Sequence, residues 1–68
     1  MEWEYCIVVA SVKGFLVSVN FEKAEGNLVG KLKQLGKEKW ELVDTVNFED
    51  ENRSQRIQYN FKRQTPAV

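Results

Sequence analysis

Ten consecutive residues, Trp3 to Val12, contain no glycine or proline and are rich in β-branched and aromatic side chains. In an extended segment successive side chains point to opposite sides. Trp3, Tyr5, Ile7 and Val9 therefore share one face, and Cys6, Val8, Ala10 and Val12 share the other. Both rows are apolar. Such a strand calls for cover on both sides, and few folds of a 68-residue chain can supply it.

Size sharpens the requirement. Residues 1–63 read as one domain and 64–68 as a C-terminal tail. A domain this small sits near the lower limit for folding alone and usually gains from disulfides, a metal or oligomerisation. Cys6 is the only cysteine and histidine is absent, so neither an internal disulfide nor a structural zinc set can be assembled. Oligomerisation is the route left, and a homo-oligomer is expected. Ten basic and ten acidic side chains balance, whereas nucleic-acid binders usually carry a basic excess. A nucleic-acid partner is not favoured. The chain shows no apolar run long enough to cross a membrane and no leader peptide. A cytoplasmic protein is expected, and the single cysteine agrees with a reducing compartment.

Beyond the Lys13-Gly14 break, Phe15–Asn20 is a short strand or an extended loop. Ala24, Leu28, Leu32 and Leu35 then fall at helical spacing on one apolar stripe. Gly26 and Gly30 each weaken that helix by about 1 kcal/mol relative to alanine. Its first turn therefore frays, or it starts late with Asn27 as cap, or the small residues admit a neighbouring backbone. Gly36 suits a left-handed C-cap. Lys31, Lys33, Lys37 and Lys39 gather toward the C-terminal end, where the helix dipole favours them. Trp40–Phe48 is the next strand, with Trp40, Leu42 and Val46 on one face interrupted by Asp44. A polar tip at 49–52 leads into a last strand over 54–63, where Ile57, Tyr59 and Phe61 alternate with Gln58, Asn60 and Lys62.

This order, β-(β)-α-β-β, gives an α+β fold: a three- to four-stranded antiparallel sheet with one helix packed on one face. With the last strand in the centre every pairing is antiparallel, and the helix covers the Trp40, Leu42, Tyr59 and Phe61 face. The first strand is then an edge. Its Cys6, Val8, Ala10 and Val12 row would lie beside Gln58 and Asn60, away from the helix, as the interface for a second subunit. The alternative is that residues 15–20 fold back as a hairpin and cover that edge.

Trp3-Glu4-Tyr5, Lys-Gly-Phe at 13–15, Leu-Gly-Lys-Glu-x-Trp-Glu-Leu-Val at 35–43 and Phe-Lys-Arg at 61–63 resemble the small bacterial and phage family catalogued as domain of unknown function 4177. The resemblance runs over nearly the whole chain, with the Trp-Glu-Leu-Val block its most specific part. It implies a β–α–β–β unit and no assigned activity. The family usually has glycine immediately before that tryptophan, where this chain has Lys39. A lysine at positive φ would be strained, so a slightly different turn is expected here.

Catalysis finds little support. Without histidine, Ser-His and Cys-His activation are unavailable. Cys6 inside an apolar strand reads as an inert core thiol. Glu4, Glu41 and Asp44 offer only a weak case for a carboxylate pair. No catalytic residue, metal ligand or cofactor is assigned. The expected function is a non-catalytic homo-oligomeric interaction module that binds a protein partner through a sheet face or edge. The alternative is a phage-type protein sequestering an anionic signalling nucleotide between subunits. Trp3 would supply stacking there, and Arg53, Arg56, Lys62 and Arg63 would supply cationic forks.

Overall fold

The computed structural model describes residues 2–65. Six elements follow in order: β1 (Trp3–Ser11), β2 (Leu16–Val19), β3 (Glu22–Lys23), α1 (Leu28–Lys37), β4 (Glu41–Glu49) and β5 (Gln55–Gln64). The strands form one antiparallel sheet in the order β3-β2-β1-β5-β4. The α+β class agrees with the sequence reading, and the last strand does lie between β1 and β4, but the middle strand of the sheet is β1. The sheet has five strands, however, because residues 16–23 form a hairpin that pairs with β1. β1 is therefore not an edge; the edges are β3 and β4. The strand expected to end at Arg63 runs on to Gln64, and the Thr65 N–H donates to the Glu2 carbonyl at 2.9 Å. The remainder of the expected tail, 66–68, lies outside the described residues.

Pairing parity decides which face of β1 is core. Cys6 sits opposite Phe61, Val8 opposite Tyr59 and Ala10 opposite Ile57. A shift of one residue would send each of these side chains to the other face. The observed register joins the small Cys6, Val8 and Ala10 row to the aromatic face of β5. The helix places Leu28 and Leu35 on that joint surface, flanked by Leu16, Val19, Leu32 and Trp40. Small side chains under a helix let it approach closely, which the Trp3 and Tyr5 row would prevent. The expectation that Cys6, Val8 and Ala10 face a second subunit is thereby corrected. All three are buried in the monomer, Val8 to 0% exposure, while Val12 lies just past the strand and is exposed.

Both ends of the helix explain themselves. Asn27 is the N-cap, its Oδ1 accepting the Val29 N–H at 2.7 Å, so the helix starts late and leaves Ala24 outside. At the other end the Trp40 N–H donates to the Leu35 carbonyl and the Lys39 N–H to the Gly36 carbonyl. These two bonds define a Schellman ending with Lys39 as the left-handed residue. Lys39 has φ +68°. Gly36 is inside the last turn, so its expected capping role belongs to Lys39, and the turn keeps its left-handed residue without a glycine to relieve it.

A bulge at Val43 accounts for the interruption of the Trp40 strand. Leu42 pairs with Phe61 and Asp44 with Asn60, so Val43 is the extra residue. Leu42 lies on the helix side of the sheet, whereas Asp44 and Val46 move to the opposite side beside Asn60 and Gln58. The β4–β5 loop is a three-residue turn over 51–53. It is closed by the Arg53 N–H to the Asp50 carbonyl and the Asp50 N–H to the Ser54 carbonyl. Asp50 Oδ1 also accepts from the N–H groups of Asn52 and Ser54, at 2.8 and 2.9 Å. This arm carries β4 beyond the helix, and all of β4 except Phe48 is exposed. The molecule measures 43 × 20 × 19 Å and exposes 5287 Å². A compact chain of its mass would expose about 4,400 Å².

Candidate interaction surface

Only one face of the sheet carries a helix. The other face is built from Trp3, Tyr5, Ile7 and Val9 of β1, Arg56, Gln58, Asn60 and Lys62 of β5, and Asp44, Val46 and Phe48 of β4. Among the described residues no second layer lies over it, but its middle is sheltered by neighbouring side chains: Val9 is buried, and Ile7, Gln58 and Asn60 are half-buried. Tyr5 is 68% exposed, and Trp3 and Val46 are each 45% exposed. Between them runs a polar chain in which the Gln58 amide donates to Asn60 Oδ1 at 2.8 Å and the Asn60 amide donates to Asp44 Oδ1 at 2.7 Å. The arrangement is one of aromatic and aliphatic anchors around a row of satisfied amides. Tyr and Trp are enriched at the cores of protein–protein interfaces.

The five residues expected to bind a ligand separate into two groups. Trp3, Lys62 and Arg63 meet at one end of the sheet, in an open groove of about 460 Å³ shared with Glu38, Lys39, Glu41 and Gln64. Lys62 Nζ lies 4.6 Å from the centre of the Trp3 ring, and the Arg63 guanidinium 4.3 Å from that of Trp40. Arg63 is already engaged. Its Nε donates to Glu4 Oε2 at 2.6 Å and its NH1 to the Glu38 carbonyl at 2.8 Å, tying the end of the helix to β1 and β5. Arg53 and Arg56 lie at the other end of β5, roughly 20 Å away along an extended strand. There Arg56 is paired with Asp50 at 3.3 Å. A single site drawing on all five is not formed.

The groups weighed for chemistry are likewise dispersed. Cys6 is a free, buried thiol, and burial pushes its pKa above the ordinary 9.0. Lys31, Arg63 and the Asn20 side-chain hydrogen bond pull it the other way, and Glu38 pushes it up with burial. Glu4 belongs to the helix side through Arg63, while Glu41 and Asp44 belong to the open side, opposite Lys62 and Asn60. They do not form a carboxylate pair. Among the described residues no three Cys, Asp or Glu side chains gather at metal-binding spacing. Among the described residues no helix is long and apolar enough to cross a membrane.

Two features escaped the sequence reading. One is the β4 edge, with Glu41, Asp44 and Glu49 and no basic residue. Its place at an edge follows from a last strand lying between it and the first; its wholly acidic charge is what the sequence reading missed. The other is the turn joining β2 to β3, where Asn20 and Phe21 have φ +52° and +68°. Phe21 is 78% exposed there. That turn type normally announces itself as Asn-Gly, and Asn-Phe gave no such signal. A scan against family models and searches of curated proteins and of solved structures return no match for this chain.

Proposed function

We propose that this chain is a small non-catalytic interaction module that binds a protein partner through the open face and edge of its sheet. The observation that carries this reading is the uncovered face, with Trp3, Tyr5 and Val46 exposed around the Gln58–Asn60–Asp44 amide row. The expectation of a homo-oligomer rested on small size without a disulfide or metal and on a bare Cys6–Val12 row. Cys6, Val8 and Ala10 lie under the helix, so the row no longer supports it; the small size still does, and a homo-oligomer remains part of the proposal, with the open face as the surface for a second copy. A cytoplasmic setting stays part of the proposal on the single cysteine in the sequence, which suits a reducing compartment.

The test compares the wild type with Tyr5→Lys/Val46→Lys, two changes at exposed positions that leave the core untouched. Both proteins are immobilised after their melting temperatures are shown to agree, and a cell lysate is passed over each. A partner retained by the wild type, lost from the variant and able to shift Trp3 emission in purified form supports the reading. Identical retention by both proteins refutes it. Sedimentation equilibrium on the same pair shows whether the occupant is a second copy.

A second reading has one observation in its favour: Trp3, Lys62 and Arg63 do converge on the end groove. It would hold a small anionic ligand within one chain. Glu38 and Glu41 in the same groove oppose an anion, and Arg63 is committed to Glu4, so this reading ranks second. A thermal-shift panel of nucleotides decides it, since a ligand at 100 times its Kd should add about 2.7 kcal/mol.

A further inference from the structure

The outer edge of β4 is the longest stretch of unpaired backbone in the sheet. Its nine residues bond only to β5, and the opposite edge, β3, is two residues long. A strand edge of this length offers a ladder of N–H and C=O groups to another extended chain. Natural proteins blunt such edges with charged residues (above all lysine), with proline or with a β-bulge. β4 has no lysine or proline; its protection against self-pairing is the Val43 bulge and the carboxylates of Glu41, Asp44 and Glu49. Among the described residues, none of these three is in an ion pair.

Charge selects the occupant. A second copy is disfavoured, because the two-fold antiparallel register that pairs all eight ladder positions of β4 sets Glu41 opposite the partner copy's Glu49, twice. Like charges directly opposite one another destabilise a strand pair. A basic strand meets the reverse situation, setting a cation on the free side of Glu41 and Asp44, whose other sides face Lys62 and Asn60, and against Glu49. We infer that β4 accepts an extended basic segment of a partner protein by strand addition, extending the sheet to six strands. The inference rests on the interaction-module reading and names the edge and the chemistry of the partner.

Register makes the recognition specific. The bulge removes Val43 from the ladder, so the carboxylates face the first, third and eighth positions of an incoming strand counted from Glu41. Leu42, Val46 and Phe48 face apolar positions between them. In antiparallel orientation the matching octapeptide reads Lys-Val-Thr-Val-Thr-Lys-Val-Lys. Backbone pairing supplies the affinity and alternate side chains the selectivity.

The experiment titrates full-length protein into this peptide carrying a fluorophore. Controls are the same peptide with glutamate for every lysine, and the lysine peptide N-methylated at alternate residues. The lysine peptide is expected to bind and to perturb β4 amides in a nitrogen–proton correlation spectrum. The glutamate peptide should not bind. N-methylation should weaken binding at least tenfold, and the Glu41→Gln/Glu49→Gln protein should lose at least fivefold. Failure of the lysine peptide to bind overturns the inference, as does equal binding of the N-methylated form or unchanged affinity of the double variant. Protection of β4 amides that grows with protein concentration and without peptide also overturns it, by placing a second copy on the edge. The Tyr5→Lys/Val46→Lys comparison tests the open face, so either result can fail without the other.

Discussion

Replacing Lys39 by glycine should stabilise this protein. Lys39 is the left-handed residue of the helix ending, with φ +68°, and its side chain is exposed. A side chain with a Cβ in this conformation costs about 1–2 kcal/mol. Glycine avoids that cost but loses about 0.5–1 kcal/mol more to the unfolded chain's freedom. The difference is a net gain of about 0.5–1 kcal/mol. For a domain this small, that raises the melting temperature by roughly 2–8 °C. The two backbone bonds to Leu35 and Gly36 do not involve the side chain and survive the change. Thermal denaturation by circular dichroism on Lys39→Gly, Lys39→Ala and Lys39→Val gives the ordering. Glycine should lie above the wild type, alanine beside it, and valine below it, because a β-branched residue tolerates positive φ least. A glycine variant no more stable than the alanine variant would refute the reasoning and show that the turn is not left-handed.

Other expectations concern the faces, the thiol and the arm. Val8→Glu puts a carboxylate at a fully buried site and should abolish cooperative unfolding, whereas Tyr5→Glu, at a largely exposed site, should keep the wild-type circular dichroism spectrum. The reverse result would mean that the helix covers the other face. Burial raises the Cys6 pKa in the folded state, so its contribution to stability is complete below the unfolded value near 9 and is lost as pH rises through the folded one. Urea midpoints from pH 7 to 10.5 should therefore fall more steeply for the wild type than for Cys6→Ala; parallel curves would contradict this. Asp50→Ala removes the acceptor of two turn N–H groups and the partner of Arg56, and should cost about 1–2 kcal/mol. Asp50→Asn, which keeps an acceptor oxygen, should cost less, as urea unfolding will show.

Much of the fold was legible because periodicity and chain reversal are local signals. The run at Trp3–Val12, the stripe Leu28, Leu32 and Leu35, and the alternation through Ile57, Tyr59 and Phe61 each announced an element, and antiparallel bookkeeping put the last strand between β1 and β4. Parity was not legible. Both rows of β1 are apolar, so composition could not say whether Cys6 or Tyr5 would sit beside Phe61, and one residue of register reverses the answer. The same ambiguity misplaced the candidate interface. Nor could the chain show that Lys39 and Phe21 would occupy conformations usually left to glycine. The candidate ligand set was half legible. Trp3, Lys62 and Arg63 share a groove because β1 and β5 pair at that end, while Arg53 and Arg56 belong to the distant turn.

The longest ladder in the molecule joins the first strand, β1, to the last, β5. Trp3 lies opposite Gln64, and nine successive pairs run inward from there to Ser11 and Arg56. The middle of the sheet therefore forms only after nearly the entire polypeptide has looped back on itself, an entropic toll met before the aromatic packing returns anything. A nascent chain on the ribosome cannot complete this fold until its last strand has emerged. Until then the greasy first strand has no long mate and is the segment most in need of a chaperone.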